Sequence, residues 1–286
     1  MSKAEVIHVS NEEYHGLKDS YSHSQMEDFL RDPPLFHGRH ITKKLPRKES
    51  TAFDWGTCAD AALTNPEGVD AVMRIIPEWA LNADGHRKGG NWTAFQKSNA
   101  GKILLKESEC AEIVRAVENC HAEPKAEMFL TAPGEFQHTI KWLDDETGLW
   151  LRCRFDKLSY LPVGLFGCDV KTCANNSPRA FTSAIAEWGY HRQAAHYLDG
   201  LIELGEEPDG WVNITIGKPD PQTCIVYELD EEWIKLGREQ NRKLFRELAQ
   251  RLQSDDWRPR TYDQVLKLTP PQWAANNQWE VIANAN

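Results

Sequence analysis

The sequence predicts an α/β fold in which a central mixed sheet is flanked by helices, with a helical layer ahead of it. Three observations predict this. Apolar and polar residues alternate with a period of two in three segments between Glu135 and Lys171. Helical spacing follows from Ser177 to about Gly200, before a further strand pair and a long amphipathic helix. The patterns ahead of residue 131 are almost all helical.

Taken in order, residues 1–20 are polar and read as a partly extended arm, residues 21–253 as a single domain, and 254–286 as a tail packed on it. Ser22-His23-Ser24 precede a short helix from Gln25 to Leu30 and supply a serine N-cap, and Pro33-Pro34 stop it. His37 to Lys48 is the most basic stretch, either a solvated loop or a strip touching phosphates. Phe53 to Leu63 is helical, with Asp60 set among alanines. Residues 77–102 are rich in Gly, Asn and Lys and read as a long irregular loop that orders on a ligand. Glu107 to His121 is a helix capped by Ser108, with Ile113, Val114 and Val117 on its stripe, and Lys125 to Leu130 a second.

The first strand, from Glu135 to Trp142, sets Phe136, His138, Ile140 and Trp142 against Glu135, Gln137, Thr139 and Lys141. Asp144 to Gly148 is a hairpin loop. The second strand faces Leu151, Cys153 and Phe155 one way and Arg152, Arg154 and Asp156 the other. The third, Leu165 to Lys171, divides Phe166, Cys168 and Val170 from Gly167, Asp169 and Lys171. Ser177-Pro178 opens a helix that Gly189 breaks. The next helix carries Gln193 and Tyr197 one turn apart on a shared face. Trp211 to Ile216 and Thr223 to Leu229 form a strand pair. Glu231 to Leu252 is a helix with Trp233, Leu236, Leu244, Leu248 and Leu252 on its stripe.

The chain of 286 residues is 41% hydrophobic and 27% charged, long enough for a substantial core. A net charge of −10 argues against a general basic coat for nucleic acid, though not against a local basic channel. Seven scattered cysteines without a CxxC pair argue against zinc ribbons and redox motifs and suggest reduced thiols. With no apolar leader and no apolar run approaching about 18 residues, the expected location is the cytoplasm, without a membrane. Nucleotide-binding glycine motifs, a GxSxG elbow and HExxH are all missing.

Hydrolysis of a phosphodiester needs an oriented water, neutralised charge on the phosphorane and a stabilised leaving oxygen. Hard divalent cations on carboxylates provide all three. Asp169 and Lys171 project from one strand face, so carboxylate and ammonium can act together. Asp156 on the neighbouring strand and Glu135 on the one before can join them. A bare acid-x-lysine tripeptide is common by chance, and Glu123-Pro124-Lys125 also matches, but its proline does not suit a central strand.

The order Glu135, Arg154-Phe155-Asp156, Asp169-Val170-Lys171-Thr172 and Gly189-Tyr190-His191-Arg192-Gln193-Ala194-Ala195-His196-Tyr197 resembles the PD-(D/E)XK nucleases, most closely the exonuclease VIII (RecE) type. Tyr21 to Met26 with Asp32-Pro33, and Phe53 to Gly56 with Asn65-Pro66-Glu67, are similar to that family's first helices. The resemblance spans about residues 20–275. It implies a restriction-endonuclease-like core and a Mg²⁺-dependent exodeoxyribonuclease, with Mn²⁺ as a possible substitute. Such an enzyme digests linear duplex DNA 5′→3′ and leaves 3′ overhangs for a RecT-like annealing partner. It also implies a homo-oligomeric ring. Carried over, Asp60, Glu135, Asp156, Asp169 and the Val170 carbonyl are metal ligands, Asp60 standing where the family usually has histidine. Lys171 acts on water or phosphorane. Gln193, Tyr197, His191 and Arg154 face substrate. No cysteine follows Cys224, which disfavours the branch with an iron–sulfur cluster. The alternatives are an endonuclease of the same fold and a non-catalytic module binding DNA ends or a partner.

Overall fold

The computed structural model describes residues 3–46, 51–218 and 220–270. The chain opens with strand β1 (Ala4–Val6) and helix α1 (Asn11–Gly16), then strand β2 (Tyr21–Ser22) and helices α2 (His23–Arg31) and α3 (Pro33–Phe36). Helix α4 (Thr51–Thr64) carries Asp60, and α5 (Val69–Val72) follows. A small unit comes next, made of β3 (Met73–Ile75), α6 (Gly90–Ser98) and β4 (Ile103–Leu105). Helices α7 (Glu107–Ala122) and α8 (Pro124–Thr131) lead to the strands β5 (Phe136–Leu143), β6 (Trp150–Leu161) and β7 (Gly164–Cys173). Helices α9 (Pro178–Trp188) and α10 (Tyr190–Leu204) cross over to β8 (Pro208–Gly217) and β9 (Cys224–Leu229), and α11 (Glu231–Ser254) closes the domain.

The main sheet has the order β1-β5-β6-β7-β8-β9, with β2 lying beside β6. Strands β5, β6 and β7 form an antiparallel meander. The α9–α10 crossover makes β7 and β8 parallel, and β9 returns antiparallel. The sheet is therefore mixed and mostly antiparallel, as the alternating segments predict.

Each face of the sheet carries its own core. On one, Phe29, Phe36, Phe181, Leu201 and Leu248 of the helices pack on Ile140, Trp142, Leu151, Phe155 and Trp211. On the other, Cys58, Ala59, Ile113, Cys120 and Phe129 pack on Phe166, Cys168, Val212 and Ile214. Burial on both faces explains why β8 reads as a nearly continuous apolar run rather than an alternation. Gly189 ends α9 in the left-handed region (φ 71°), where a glycine avoids a Cβ clash. Gly237 lets α11 cross close over α10: a Cβ there would come within 2.3 Å of the His191 carbonyl oxygen. Asn241 Nδ2 donates to the Arg192 carbonyl at 2.9 Å beside it.

The structure corrects the sequence reading in several places. Residues 77–102 are a folded unit, not an irregular loop: β3 and β4 pair in parallel, and Ile76, Ala80 and Phe95 form a core beneath α6. Three-residue strands are too short to show a period. The N-terminal arm is tied to the sheet, because β1 pairs with β5 from Ala4–Trp142 to Val6–Ile140. Lys106, not Ser108, caps α7, and its amide donates to the Glu109 carboxylate at 2.6 Å. Ile113, Ala116 and Cys120 form the buried row of α7, which leaves Val114 exposed. Leu236 is likewise exposed, with Gly237 and Asn241 buried in its place. The basic stretch folds onto α2, where Arg39 and His40 both reach Asp28 at 2.8 Å; Arg47 and Lys48 lie outside the described residues. Beyond α11, Trp257 stacks on His37 at 4.9 Å, and Arg260 donates to the Phe29 and Leu30 carbonyls. The tail from residue 271 lies outside the described residues.

Phe155 ties strand to helix, since its ring meets Tyr197 at 5.2 Å and Trp211 at 5.9 Å and is fully buried. Phe155→Ala is expected to cost about 3–5 kcal/mol, read as a lowered midpoint in urea unfolding.

Candidate active site

Strands β6 and β7 pair only from Leu161–Gly164 to Lys157–Cys168. Asp156 and Asp169 are the next residues on the two strands, so both stand where the sheet forks. Beyond the fork β7 continues with β8 alone, in register Asp169–Asn213 and Lys171–Thr215. The amide of Val170 loses its β6 partner there and donates to Asp156 Oδ2 at 2.8 Å. A carboxylate thus satisfies the backbone that the fork leaves open.

Asp169 is buried and held on both oxygens. Gln193 Nε2 donates to Oδ1 at 2.6 Å and Asn213 Nδ2 to Oδ2 at 3.3 Å. Lys171 Nζ forms a short ion pair with Oδ2. The same ammonium lies 4.8 Å from the centroid of the Tyr190 ring. Burial opposes its charge, but Asp169 and Tyr190 outweigh burial and raise the Lys171 pKa.

Asp60 comes from α4 on the opposite side of the fork. Burial, then the Asp169 charge, push its carboxyl up to about 6. Thr64 Oγ1 lies 3.4 Å from Asp60 Oδ1 and accepts from Gln137 Nε2 at 3.0 Å. Gln137 has φ 50° and falls opposite Asp156, at the point where the β5–β6 ladder skips a pair. Asp156 itself is pushed well above the ordinary carboxylate range by burial, then by Asp60 and Asp169. Three carboxylates therefore repel one another across the fork, with one ammonium among them.

Of the residues expected at the site, the structure brings together Asp60, Asp156, Asp169, Val170, Lys171 and Gln193. It does not bring Glu135. That side chain is largely exposed one residue before β5 and binds His138 Nδ1 at 2.7 Å. Strand β5 begins at Phe136, and the positive φ at Gln137 turns the chain there, so Glu135 does not share the face that carries the other acids. Gln193 reaches Asp169 rather than solvent. Tyr197 lies under the sheet, its ring edge-on to Trp211 at 5.4 Å, and burial raises its phenol pKa. His191 faces α11, with Nδ1 3.1 Å from the Ile185 carbonyl and Nε2 2.8 Å from Gln240 Oε1. Arg154 grips the arm: it donates to Thr139 Oγ1 and the Val9 and Ser10 carbonyls and stacks on Tyr14 at 4.3 Å.

Four further residues join the site without having been singled out. Asn213 was findable, as the lone amide in the apolar run of β8; it is fully buried, and its Oδ1 has no partner among the described residues. Tyr190 lay within the motif that carries the resemblance but was given no role, and Thr64 and Gln137 carried no signal, because their roles depend on the fork and on the turn of the chain at residue 137.

Three carboxylates of this kind suit a hard divalent cation, which takes oxygen ligands and keeps places for water and phosphate. Their mutual repulsion is what such an ion would relieve. Among the described residues no three acids, imidazoles or thiols already close around one point as a metal shell. The Lys171 and Gln193 contacts occupy both oxygens of Asp169 instead.

A family model described as a PDDEXK-like domain of unknown function (DUF3799) matches residues 22–261. No curated protein matches the chain in sequence. Among solved structures, a protein of Eubacterium rectale provisionally named an exonuclease is 13% identical. The similarity covers 95% of this chain and 99% of that one, with a TM-score of 0.58, and shows a shared fold. The structure of SSO0001 overlaps with a TM-score of 0.28 at 13% identity, over 77% of this chain and 82% of its own, too little to carry an argument.

Burial and the Asp169 charge together give the Asp60 shift a measurable sign. Folding lifts the Asp60 pKa from 3.8 to about 6, so the metal-free folded state binds the extra proton between these values. Its stability should fall as pH rises through that window. Asp60→Asn should then stabilise the protein in EDTA by ~1–3 kcal/mol at pH 7.5 and change little at pH 4. Thermal melts at the two pH values check this; equal destabilisation at both would show that the raised Asp60 pKa does not govern its contribution to stability.

Proposed function

Because the chain belongs to the PDDEXK-like family, within the PD-(D/E)XK nuclease superfamily, we propose that it is a Mg²⁺-dependent exodeoxyribonuclease acting on ends of linear double-stranded DNA. The observation that carries this reading is the set of three carboxylates and one lysine at the β6–β7 fork. Neither a structural ion pair nor a solvated strand end accounts for three acids pushed against one another at a fork in the sheet. The exonuclease name of the E. rectale protein supports an exonuclease over an endonuclease. The proposal extends to 5′→3′ digestion leaving 3′ overhangs, to tolerance of Mn²⁺, to a ring-shaped homo-oligomer and to a RecT-like annealing partner, all carried from the RecE resemblance.

Asp60, Asp156 and Asp169 would hold the metal, with the Val170 carbonyl as a possible further donor. When bound, the ion supplies Lewis acidity and lowers the pKa of water. The chain's own groups do the rest. Gln193 and Asn213 fix the Asp169 carboxylate, so it does not swing away when charge arrives. The Val170 amide fixes Asp156 in the same way. Lys171 stays protonated at working pH and is placed to orient the attacking water or to neutralise charge on the phosphorane.

Wild-type protein with Mg²⁺ should shorten end-labelled linear duplex and leave closed circular duplex intact, as read on a gel. Asp169→Ala and Lys171→Ala should each lower the rate by on the order of 10²–10³-fold. Intact linear DNA in both Mg²⁺ and Mn²⁺ would favour a non-catalytic DNA-end module; cleaved circles would favour an endonuclease. Gln193→Ala should cost about 10–100-fold in activity or metal affinity while the fold survives. A titration of rate against Mg²⁺ separates the two.

A further inference from the structure

Residues 73–106 make up the β3–α6–β4 unit and the residue that caps α7. They carry six Lys or Arg (Arg74, Arg87, Lys88, Lys97, Lys102, Lys106) against two acids (Glu78, Asp84), within a chain of net charge −10. The unit has its own small core of Ile76, Ala80 and Phe95. Its strands also reach the main core, since Met73, Ile103 and Leu105 pack in the cluster that holds Cys58, Ala59 and Leu63 of α4. The helix that carries Asp60 therefore seats this basic lobe.

Two of its features have no structural use inside the fold. Trp79 is 60% exposed, although tryptophan is normally covered, and its ring meets Phe95 edge-to-face at 5.8 Å. Asn91 Nδ2 donates to the Trp79 carbonyl at 3.0 Å, so the first turn of α6 stands beside that ring. Lys88 just ahead of α6 and Lys97 near its end are exposed, and neither has an acidic partner among the described residues. Arg87 differs, being paired with Glu109 at 2.6 Å.

We propose that this lobe binds a single-stranded stretch of DNA, with an unpaired base stacked on Trp79 and backbone phosphates drawn to Lys88 and Lys97. An exposed indole in a unit that also carries two exposed lysines without acidic partners fits an unpaired strand better than a duplex, whose bases offer no free π-face. A protein partner would more often cover a contiguous apolar patch, whereas the unit that carries Trp79 holds six Lys or Arg against two acids. The assignment deepens the nuclease reading, because it gives the strand freed or frayed at a duplex end a place beside α4, and it rests on that reading for its role.

The test uses full-length protein in EDTA, so that binding is read without cleavage. Anisotropy of a labelled oligothymidine should show Trp79→Ala binding about 10-fold more weakly than wild type. That difference should vanish on an abasic strand of equal length. Lys88→Gln with Lys97→Gln should weaken binding to both strands and reduce the slope of log K against log salt by about 1.4. Binding of oligothymidine that is absent in wild type, or unchanged in Trp79→Ala with matching melting temperatures, overturns the proposal. Trp79-dependent binding in a protein that cleaves no DNA supports the lobe and sinks only the nuclease reading.

Discussion

The parting of β6 from β7 is the constraint on which the rest of the structure depends. A sheet that stayed paired would bury its backbone groups against each other and leave no cleft. Here the ladder stops at Lys157–Cys168, and what it leaves open is met by side chains. Asp156 takes the free Val170 amide, and β2 covers β6 farther along, at Leu151 and Arg152. Asp169 remains in the intact β7–β8 half, so one acid stands on each arm of the fork. Helix α4 then brings Asp60 from the second core.

The site is consequently held by the sheet and by α10 together. Gln193 faces the sheet from α10 and clamps Asp169, while Tyr197, one turn on, packs under Phe155 and Trp211. One helix face thus supplies both the polar tether and the apolar seat. Arg192 on the same helix binds Glu27 of α2 through two nitrogens at 2.8 and 2.7 Å, which docks the helical layer on the crossover. Buried His23 lies in this layer; burial, then the neighbouring His196, Arg192 and Lys171, keep its pKa well below the ordinary histidine value.

The strands of the meander, the helices of the crossover and the Asp169–Lys171 pairing were legible because each rests on a local period. Side chains two apart on a strand share a face whatever the tertiary structure does. Glu135 was misplaced for the complementary reason: whether it joins the cluster depends on where β5 begins and on the positive φ at Gln137, which no period encodes. His191 and Arg154 read as substrate contacts because they flank the motif residues. In three dimensions each faces another element, α11 for one and the arm for the other. The lobe at residues 73–105 was hidden by its composition, since glycine and asparagine-rich segments look like loops even when two short strands and a nine-residue helix close a core.

The missing side chain at Gly237 has a consequence for divergence within the family. Helix α10 is pressed between the sheet and α11, and the closest approach of the two helices is possible only because position 237 carries no Cβ. In a relative with any larger residue there, α11 must stand farther off, and α10 is free to follow it away from β7. The tether from Gln193 to Asp169 would lengthen although every motif residue was retained. Two homologues with identical acids, lysine and glutamine could thus differ in activity through one small residue some forty positions downstream of the helix it steers.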